Sequence, residues 1–182
     1  YGGPGGGALL INSTGTVTVN GTVSANGSAA VVGGGAGGSI NITAATLTGT
    51  GTISANGGDA GATPGGGGRI SLNGVTNDSF SGAIRVSGGV WSNRSPMAYP
   101  GTVYLNSSRR NSLTLGGAGN LQSLTLGDDG VNDYTFGTIT IQSGGTLTMG
   151  GNPVINSGAG GAAQLNVNTL TIAAGGSLSA DN

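Results

Sequence analysis

The chain has 182 residues, of which 42 are glycine and only 6% are charged, and its formal net charge is -1. All acidic residues are aspartate and all basic residues are arginine, so lysine, glutamate, histidine and cysteine are absent. These absences exclude a histidine general base, a thiol nucleophile, a disulfide and a thiolate zinc site. The low charge gives no basic surface for nucleic acid, so no nucleic-acid partner is predicted.

Composition also favours ordered β-structure. Disordered segments are usually poor in β-branched residues and carry a high net charge, and this chain shows the opposite combination. No apolar run approaches the roughly 18 residues that a membrane-spanning helix needs, so no membrane span is predicted.

In chain order, the first section, residues 1–106, repeats a strand-and-turn phrase about every 30 residues, which is typical of a repeat solenoid. The phrase Thr16–Gly27 returns as Thr46–Gly57. Hydroxyl and apolar residues alternate within it, as expected for strands with one buried face. Each glycine run precedes a short predicted strand: Gly5–Gly7 before Leu9–Asn12, Gly33–Gly38 before Ser39–Ile42, and Gly65–Gly68 before Arg69–Leu72.

Asparagine marks the predicted corners of the coils, at Asn20, Asn26 and Asn56. Its side chain hydrogen-bonds the local backbone and tolerates turn conformations. Because asparagines at equivalent positions also stack into ladders, we expect these side chains to stack along successive coils.

The repeat weakens after a third round at Ala83–Gly89. The segment Val90–Pro100 is the least repetitive part of the section and holds the single tryptophan, Trp91, so a loop is predicted there. Strand character returns at Thr102–Asn106.

The second section, residues 107–182, lacks the glycine runs but keeps the period in a degenerate form. The phrase Thr138–Met149 returns as Thr169–Ala180. Because both sections share the period, residues 1–182 are predicted to form one continuous domain. Further strands are predicted at Ser112–Leu115 and Ser123–Leu126, and loops at Gly127–Asp133 and Asn152–Ala163.

These patterns predict an all-β fold, a single-domain parallel β-helix (β-solenoid) of about six coils with glycine-rich turns. The alternating apolar residues, such as Val17 and Val19 or Ile139 and Ile141, are expected to point inward. Each should stack on its equivalent in the next coil, about 4.8 Å away.

Two groups of motifs carry a resemblance to known families. The segment Gly33–Leu72, with its glycine runs and its Thr-Ile-Ser-Ala-Asn-Gly-Gly phrase, resembles the glycine-rich repeats of large bacterial surface and secreted proteins. The phrases Thr138–Met149 and Thr169–Ala180 resemble the strand repeats of autotransporter passengers and other right-handed parallel β-helix proteins. The resemblance implies right-handed winding, an extracellular or cell-surface location, and a role as an adhesin, a surface-layer or fibre component, or a polysaccharide-degrading enzyme.

Threonine pairs separated by one apolar residue recur along the predicted strands. Both hydroxyls of a pair should project outward, and stacked pairs would form a hydroxyl grid that resembles β-solenoid ice-binding proteins. The alternative is that threonine is a favoured solvent-facing strand residue, and the interruptions argue against one uniform grid. The pairs are Thr16/Thr18, Thr46/Thr48, Thr138/Thr140, Thr146/Thr148 and Thr169/Thr171.

The acidic segment Gly127–Asp133 offers oxygen ligands of the kind that Ca²⁺ prefers, but it lacks the full calcium-loop pattern and equally resembles a polar turn. We predict no metal or cofactor, and leave open whether Asp128, Asp129 and Asp133 bind calcium.

A catalytic role is predicted to be absent. The β-helix polysaccharide hydrolases and lyases use clustered aspartates or an arginine base, and here Asp128–Asp129 and Arg109–Arg110 are the candidates. Two carboxylates must face each other across a glycosidic bond, whereas adjacent strand residues point to opposite faces. The hydrolase pattern also expects a histidine, which is missing. The remaining acids are expected in turns or at the terminus: Asp59, Asp78 and Asp181.

Seven Asn-x-Ser/Thr triplets occur, all within the first section, and in a secreted protein they are candidate glycosylation sites. Several such triplets also arise by chance in a chain rich in Asn, Ser and Thr, so glycosylation is left open. The acceptor residues are Asn12, Asn20, Asn26, Asn41, Asn77, Asn93 and Asn106.

The few aromatic residues allow two interpretations. Exposed aromatic faces often bind carbohydrate, whereas buried ones would pack the solenoid where regular stacking fails. The residues concerned are Trp91, Tyr99, Tyr104, Tyr134 and Phe136, and Tyr1 is a candidate for contact with another chain.

Neither end of the chain shows a charged or helical cap, and Thr169–Asn182 is still within the repeat. Uncapped solenoid ends expose strand edges that invite further pairing. The sequence therefore predicts a structural protein, a subunit or segment of an extracellular filament, sheath or cell-surface assembly, with identical subunits as partners. The alternatives are an adhesin or glycan-binding module, an ice-binding protein or, as the weakest, a polysaccharide-active enzyme.

Overall fold

The computed structural model of the protein describes residues 1–91, 98–126, 133–149 and 164–180. These residues form β-strands joined by short turns, with one helix of five residues. The elements in chain order are β1 (Ala8–Asn12), β2 (Thr16–Thr18), β3 (Thr22–Ser24), β4 (Ser39–Gly49), β5 (Thr52–Ser54), β6 (Arg69–Phe80), β7 (Ala83–Arg85), β8 (Thr102–Tyr104), α1 (Ser107–Asn111), β9 (Ser112–Leu115), β10 (Ser123–Leu126), β11 (Asp133–Ile141), β12 (Thr146–Met149), β13 (Gln164–Ile172) and β14 (Ser177–Ser179).

The strands form a parallel β-solenoid, which confirms the predicted all-β fold. One six-stranded sheet, β3-β5-β7-β10-β12-β14, runs from the first coil to the last. The other strands form two sheets that follow each other along the solenoid, one of β1, β2, β4, β6 and β8 and one of β9, β11 and β13. The chain makes about five turns, close to the six coils predicted.

The register of the strands follows the repeat in the sequence. Thr16 pairs with Thr46 and Val17 with Leu47, and in the second section Thr138 pairs with Thr169. Equivalent residues therefore stack in rows along the solenoid, as the repeat predicted. Right-handed winding and a single continuous domain stay predictions.

Two of the strands are longer than predicted. The predicted strand Ser39–Ile42 continues without a break into the Thr-Leu-Thr triplet, so β4 spans both. β6 likewise runs from Arg69 to Phe80. A register shift after Asn41 accommodates the extra residue of β6, which is the effect of a β-bulge.

The core is a set of apolar rows. In the six-stranded sheet, the interior members of one row are Ile53, Ile84, Leu124 and Leu147, and each is almost fully buried. Burying such a side chain stabilises the fold by about 1.5–3 kcal/mol. Because every rung contributes to each row, stability accumulates along the solenoid axis.

The first three coils have an additional wall made almost entirely of backbone. Gly34 and Gly37 donate their N–H groups to the next coil, at Thr63 and Gly66. The next residues, Gly35 and Gly38, instead donate their N–H groups to the carbonyl oxygens of Ser28 and Ala25. Residues three positions apart therefore donate in the same direction, which is the periodicity of an extended helix with three residues per turn.

Glycine is required in this wall because the backbones touch. A Cβ atom at Gly35 would overlap the carbonyl oxygen of Pro4, and one at Gly65 would overlap that of Gly35. The glycine runs are therefore packing elements as well as turns.

Asparagine ladders join the corners of these coils. Asn26 Oδ1 accepts a hydrogen bond from the Asn56 N–H at 2.7 Å, and Asn56 Oδ1 accepts one from the Ser87 N–H at 2.9 Å. Asn20 Oδ1 accepts from Thr50 N–H at 3.3 Å. Asn26 thus stacks on Asn56 as predicted, whereas the residue one coil after Asn20 is Thr50, so Asn20 bonds the next coil without an asparagine partner.

The helix α1 interrupts the solenoid where the two sections meet. It follows β8, and its first turn is capped by Asn106, whose side chain accepts a hydrogen bond from Arg109 N–H at 3.0 Å. The loops predicted in Val90–Pro100, Gly127–Asp133 and Asn152–Ala163 lie mostly outside the described residues.

Candidate functional site

The N-terminal end of the solenoid leaves its core rows open. Strands β1, β2 and β3 each pair with a following strand and have no ladder partner on their other edge among the described strands. Leu9 lies in the same row as Ile40 and Ile70, but it is 39% exposed whereas they are 1% exposed. No described coil covers this inward-pointing leucine.

The C-terminal end shows the same arrangement. In the described part of the chain, β13 pairs only with β11, and β14 only with β12. Leu170 is 41% exposed although its row neighbour Ile139 is fully buried. Ile172 and Leu178 are exposed in the same way. Both ends therefore present apolar core residues framed by unpaired strand edges.

The sequence of the end strands does not protect these edges. Natural proteins usually blunt exposed strand edges with charged residues, proline or a covering element. The strands β1, β2, β3, β13 and β14 contain no charged residue and no proline. The two ends are consequently suited to continued strand pairing.

The hydroxyl pairs lie on separate patches. The middle residue of each pair, such as Leu47 or Ile139, points inward, so both hydroxyls face outward as predicted. They do not form one grid, because they are divided among three places. Thr16/Thr18 lie beside Thr46/Thr48, Thr138/Thr140 lie beside Thr169/Thr171 and Ser112/Thr114, and Thr146/Thr148 lie on the six-stranded sheet between Ser123/Thr125 and Ser177/Ser179.

A buried ion pair joins the two sections. Arg109 Nε lies 2.5 Å from Asp78 Oδ2 and its Nη2 lies 2.6 Å from Asp78 Oδ1, a bidentate contact. Arg109 Nη2 also donates to the Phe80 carbonyl oxygen, and Asn106 Nδ2 donates to Asp78 Oδ2 at 3.0 Å. The Asp78 side chain is fully buried and that of Arg109 is 10% exposed.

This pair corrects the prediction that Asp78 lies in a turn. Asp78 is in β6 and pairs with Leu47 of β4, so it occupies an inward position of the solenoid. Its charge is compensated by an arginine that enters from α1. A signal was present in the sequence, since residues 78 and 109 have opposite charges and are separated by 31 positions, one repeat.

Among the described residues, the other charged candidates lie apart from one another and have separate partners. Asp59 Oδ1 accepts a hydrogen bond from Val90 N–H at 2.7 Å. Arg109 forms its ion pair with Asp78. The Arg110 guanidinium lies 5.5 Å from the centre of the Tyr104 ring. The remaining acids Asp128, Asp129 and Asp181, together with the side chain of Asp133, lie outside the described residues.

Within the ranges that the structure describes, no group of three potential metal-ligating side chains comes together. The described ranges also contain no helix with the length and hydrophobicity that crossing a bilayer requires.

A small cavity opens between β8 and the first half of β11. It has a volume of about 160 Å³, and its lining includes Tyr104, Arg110, Thr135 and Phe136. Tyr104 is 49% exposed. The cavity combines an exposed aromatic ring with hydroxyl and guanidinium donors.

The other aromatic residues mostly support the packing interpretation. Tyr134 and Phe136 belong to the core, and Trp91 Nε1 donates to the Gly61 carbonyl oxygen one coil away. Tyr99 is half-exposed and Tyr1 is fully exposed.

The acceptor asparagines differ in accessibility. Asn106 is 2% exposed and bonded to Asp78, so a glycan there is incompatible with this fold. Asn93 lies outside the described residues. The other acceptors are exposed: Asn12, Asn20, Asn26, Asn41 and Asn77.

In comparisons with known proteins, no family model matches the chain, and neither a curated protein nor a solved structure matches it with significance. The β-solenoid itself rests on the strand pairing described above. The resemblance to bacterial surface repeats and autotransporter passengers stays a prediction.

Proposed function

We propose that this protein is structural, a subunit or segment of an extracellular filament, sheath or cell-surface assembly that is held together by strand-edge contacts. The observation that carries the proposal is the regular parallel stacking of the strands, since six of them form one continuous sheet from β3 to β14.

The architecture supports an extended assembly. A parallel solenoid grows along one axis, and each rung adds about 4.8 Å. Six rungs of the six-stranded sheet correspond to about 29 Å of rod per molecule. The small number of charged residues also removes most of the repulsion that would oppose close packing of neighbouring molecules.

The chemistry of the described charged residues supports a structural role more than a catalytic one. Asp78 and Arg109, the pair with the most developed hydrogen-bond network, serve the core and are shielded from solvent. The extracellular location is part of the proposal and rests on the resemblance of the repeats alone.

Electron microscopy of the protein in its native preparation, combined with fibre diffraction, tests this function. We expect filaments or sheets with strands perpendicular to the long axis and a reflection near 4.8 Å along that axis. Hydrolysis of a polysaccharide by the purified protein, with no ordered assembly in native material, would overturn the proposal.

A second candidate function, glycan binding, is favoured by the cavity beside Tyr104. An exposed aromatic ring flanked by Arg110 and Thr135 provides both a stacking surface and hydrogen-bonding groups. Titration with neutral and acidic oligosaccharides tests it, with Tyr104→Ala expected to abolish binding. Equal binding by Tyr104→Ala and the native protein would rule out this site.

A further inference from the structure

We infer that the step Asn73-Gly74 of β6 is a site of spontaneous deamidation on the outer face of the solenoid, whereas the corner asparagines Asn26 and Asn56 are protected from the same reaction. The three asparagines are each followed by glycine. The structure therefore separates sequences that look equally reactive. This modification is independent of how the protein assembles.

The reaction uses only the chain and water. The Gly74 nitrogen attacks Asn73 Cγ and closes a succinimide ring, the bond from Cγ to the side-chain nitrogen breaks, and ammonia leaves with the proton of the Gly74 N–H group. Water then opens the ring at either carbonyl, which leaves aspartate or isoaspartate and one added negative charge. Glycine favours the first step because it has no Cβ to hinder the turn of the backbone. The step requires a glycine N–H that is free to react.

The corner asparagines lack this freedom. Gly27 N–H donates to the Asn56 carbonyl oxygen at 2.8 Å, and Gly57 N–H donates to that of Ser87 at 2.9 Å. The side-chain oxygens of Asn26 and Asn56 also accept hydrogen bonds from the next coil. Ring closure at either corner therefore requires that two neighbouring coils first separate locally.

The bulge of β6 leaves Asn73 outside the regular ladder. Two residues, Leu72 and Asn73, lie between the paired positions 71 and 74 of β6, whereas β4 has only Ile42 between the corresponding positions. Leu72 and Ile42 are both fully buried, so Asn73 is the extra residue. Asn73 and Gly74 are consecutive and both exposed, which breaks the alternation of inward and outward residues at this point.

The N–H group of Gly74 points away from β4. Alternate residues of a strand in a regular parallel ladder donate to the same neighbour. Beyond the bulge the register between β6 and β4 is constant, and Ser81 N–H donates to the Gly49 carbonyl oxygen of β4. Val75, an even number of residues earlier, therefore also donates to β4, and Gly74 faces the opposite side. On that side the ladder to β8 ends at Ser71, and no turn or loop carbonyl in the described ranges accepts from Gly74.

Packing at the bulge favours glycine at position 74. A Cβ atom there would lie 2.5 Å from Thr43 Oγ1 and 3.0 Å from Thr43 Cβ. Any larger residue would have to displace this threonine of the preceding coil. The fold thus keeps a reactive Asn-Gly step in an exposed place.

A fourth Asn-Gly step, Asn20-Gly21, lies in the first described coil. Its counterpart Gly51 donates to the Val19 carbonyl oxygen of the coil before it. Whether Gly21 is held in the same way depends on what precedes the first coil, so only the other three steps are compared.

Peptide mapping by mass spectrometry after incubation in mildly alkaline buffer tests the inference. Trypsin cleaves after Arg69 and Arg85, so Asn73 lies in the peptide 70–85 and both corner steps lie in the peptide 1–69. In the folded protein we expect Asn73 to deamidate roughly tenfold or more faster than Asn26 and Asn56, because hydrogen bonds must open before the corners can react. In concentrated urea the three rates should become similar.

The matched control is Asn73→Gln, which keeps an exposed amide but forms the corresponding ring far more slowly. Its peptide 70–85 should stay unmodified at position 73, while far-UV circular dichroism shows an unchanged fold. A folded protein in which Asn73 is as slow as the two corners would overturn the inference, and so would corners that react as fast as Asn73. A difference in rate that persisted unchanged in urea would show that local sequence, and not the hydrogen bonds of the solenoid, sets the rates.

Discussion

The two sections of the solenoid use different means to hold the same stacking. In the first section, residues 1–106, backbone packs against backbone in the glycine wall, and asparagine side chains hydrogen-bond to the next coil at the corners. In the second section, residues 107–182, the described coils rely on apolar rows and the helix α1, whose Arg109 forms the buried ion pair with Asp78 of the first section.

This difference explains why the first section has the stricter repeat. Direct backbone contact tolerates no added atom at the wall glycines, so glycine must return at each contact position, while an extra residue is accommodated elsewhere in the coil, as at the bulge of β6. Rows of side chains tolerate coils of different length. In the six-stranded sheet, Ser123 pairs with Ala83 on one side and with Thr146 on the other, although the two chain segments that separate it from these partners differ in length.

The largest expected effect is in the glycine wall. Gly35→Ala would place a methyl group on the carbonyl oxygen of Pro4, and the backbone there cannot withdraw without breaking neighbouring hydrogen bonds. We expect a loss of at least about 4 kcal/mol in the free energy of unfolding, measured by urea denaturation. Gly7→Ala is the control, because a Cβ there has no neighbour within 4 Å, and it should change stability little. Equal losses in both variants would refute the role of the wall.

The junction between the sections should be almost as sensitive. Asp78→Ala leaves Arg109 buried without its partner, and we expect a cost of about 3–5 kcal/mol. In the matched control Asp59→Asn, the amide oxygen can still accept from Val90 N–H, so stability should be nearly unchanged.

The double variant Asp78→Leu/Arg109→Met sharpens this test. Position 78 pairs with Leu47, so an apolar residue fits the row there. Replacing a buried ion pair by apolar side chains is often neutral or stabilising. If the double variant recovers most of the stability that Asp78→Ala loses, the role of Asp78 is to neutralise the buried charge of Arg109. No recovery would contradict that explanation.

A smaller difference is expected between the interior and the end of the second section. Ile139→Ala removes a fully buried side chain and should cost about 2–5 kcal/mol. Leu170→Ala, in the same row, should cost about half as much or less in the monomer, since Leu170 is 41% exposed. Thermal or urea unfolding at low protein concentration measures both, and a larger loss for Leu170→Ala would show that this end is covered in solution.

The smallest effect concerns the asparagine ladder. Asn56→Ala removes the acceptor of the Ser87 N–H and should cost about 1 kcal/mol. Asn56→Asp keeps an oxygen in the same place and should retain most of the stability. If the two variants were equally destabilised, the ladder hydrogen bond would not be the cause.

Much of the fold could be predicted because the repeat is local and regular. The alternation in Thr16-Val17-Thr18 already shows which residues point inward, and the return of Thr46–Gly57 predicts which strands stack. The availability of the end strands for further pairing stays a prediction, based on the lack of charged residues in Thr169–Thr171 and Ser177–Ser179. These features depend on strand periodicity, which the sequence displays directly.

The sequence by itself thus determined the parallel β-solenoid and its inward rows, because both follow from a period of two within a strand and a fixed repeat between strands. Only the tertiary structure decided that Asp78 points into the core to meet Arg109, that β4 and β6 extend beyond the predicted strands Ser39–Ile42 and Arg69–Leu72, and that the glycine runs pack as a wall. The physical reason is that each of these depends on which backbone or side chain approaches from a neighbouring coil, and that proximity is set by the stacking of the whole chain.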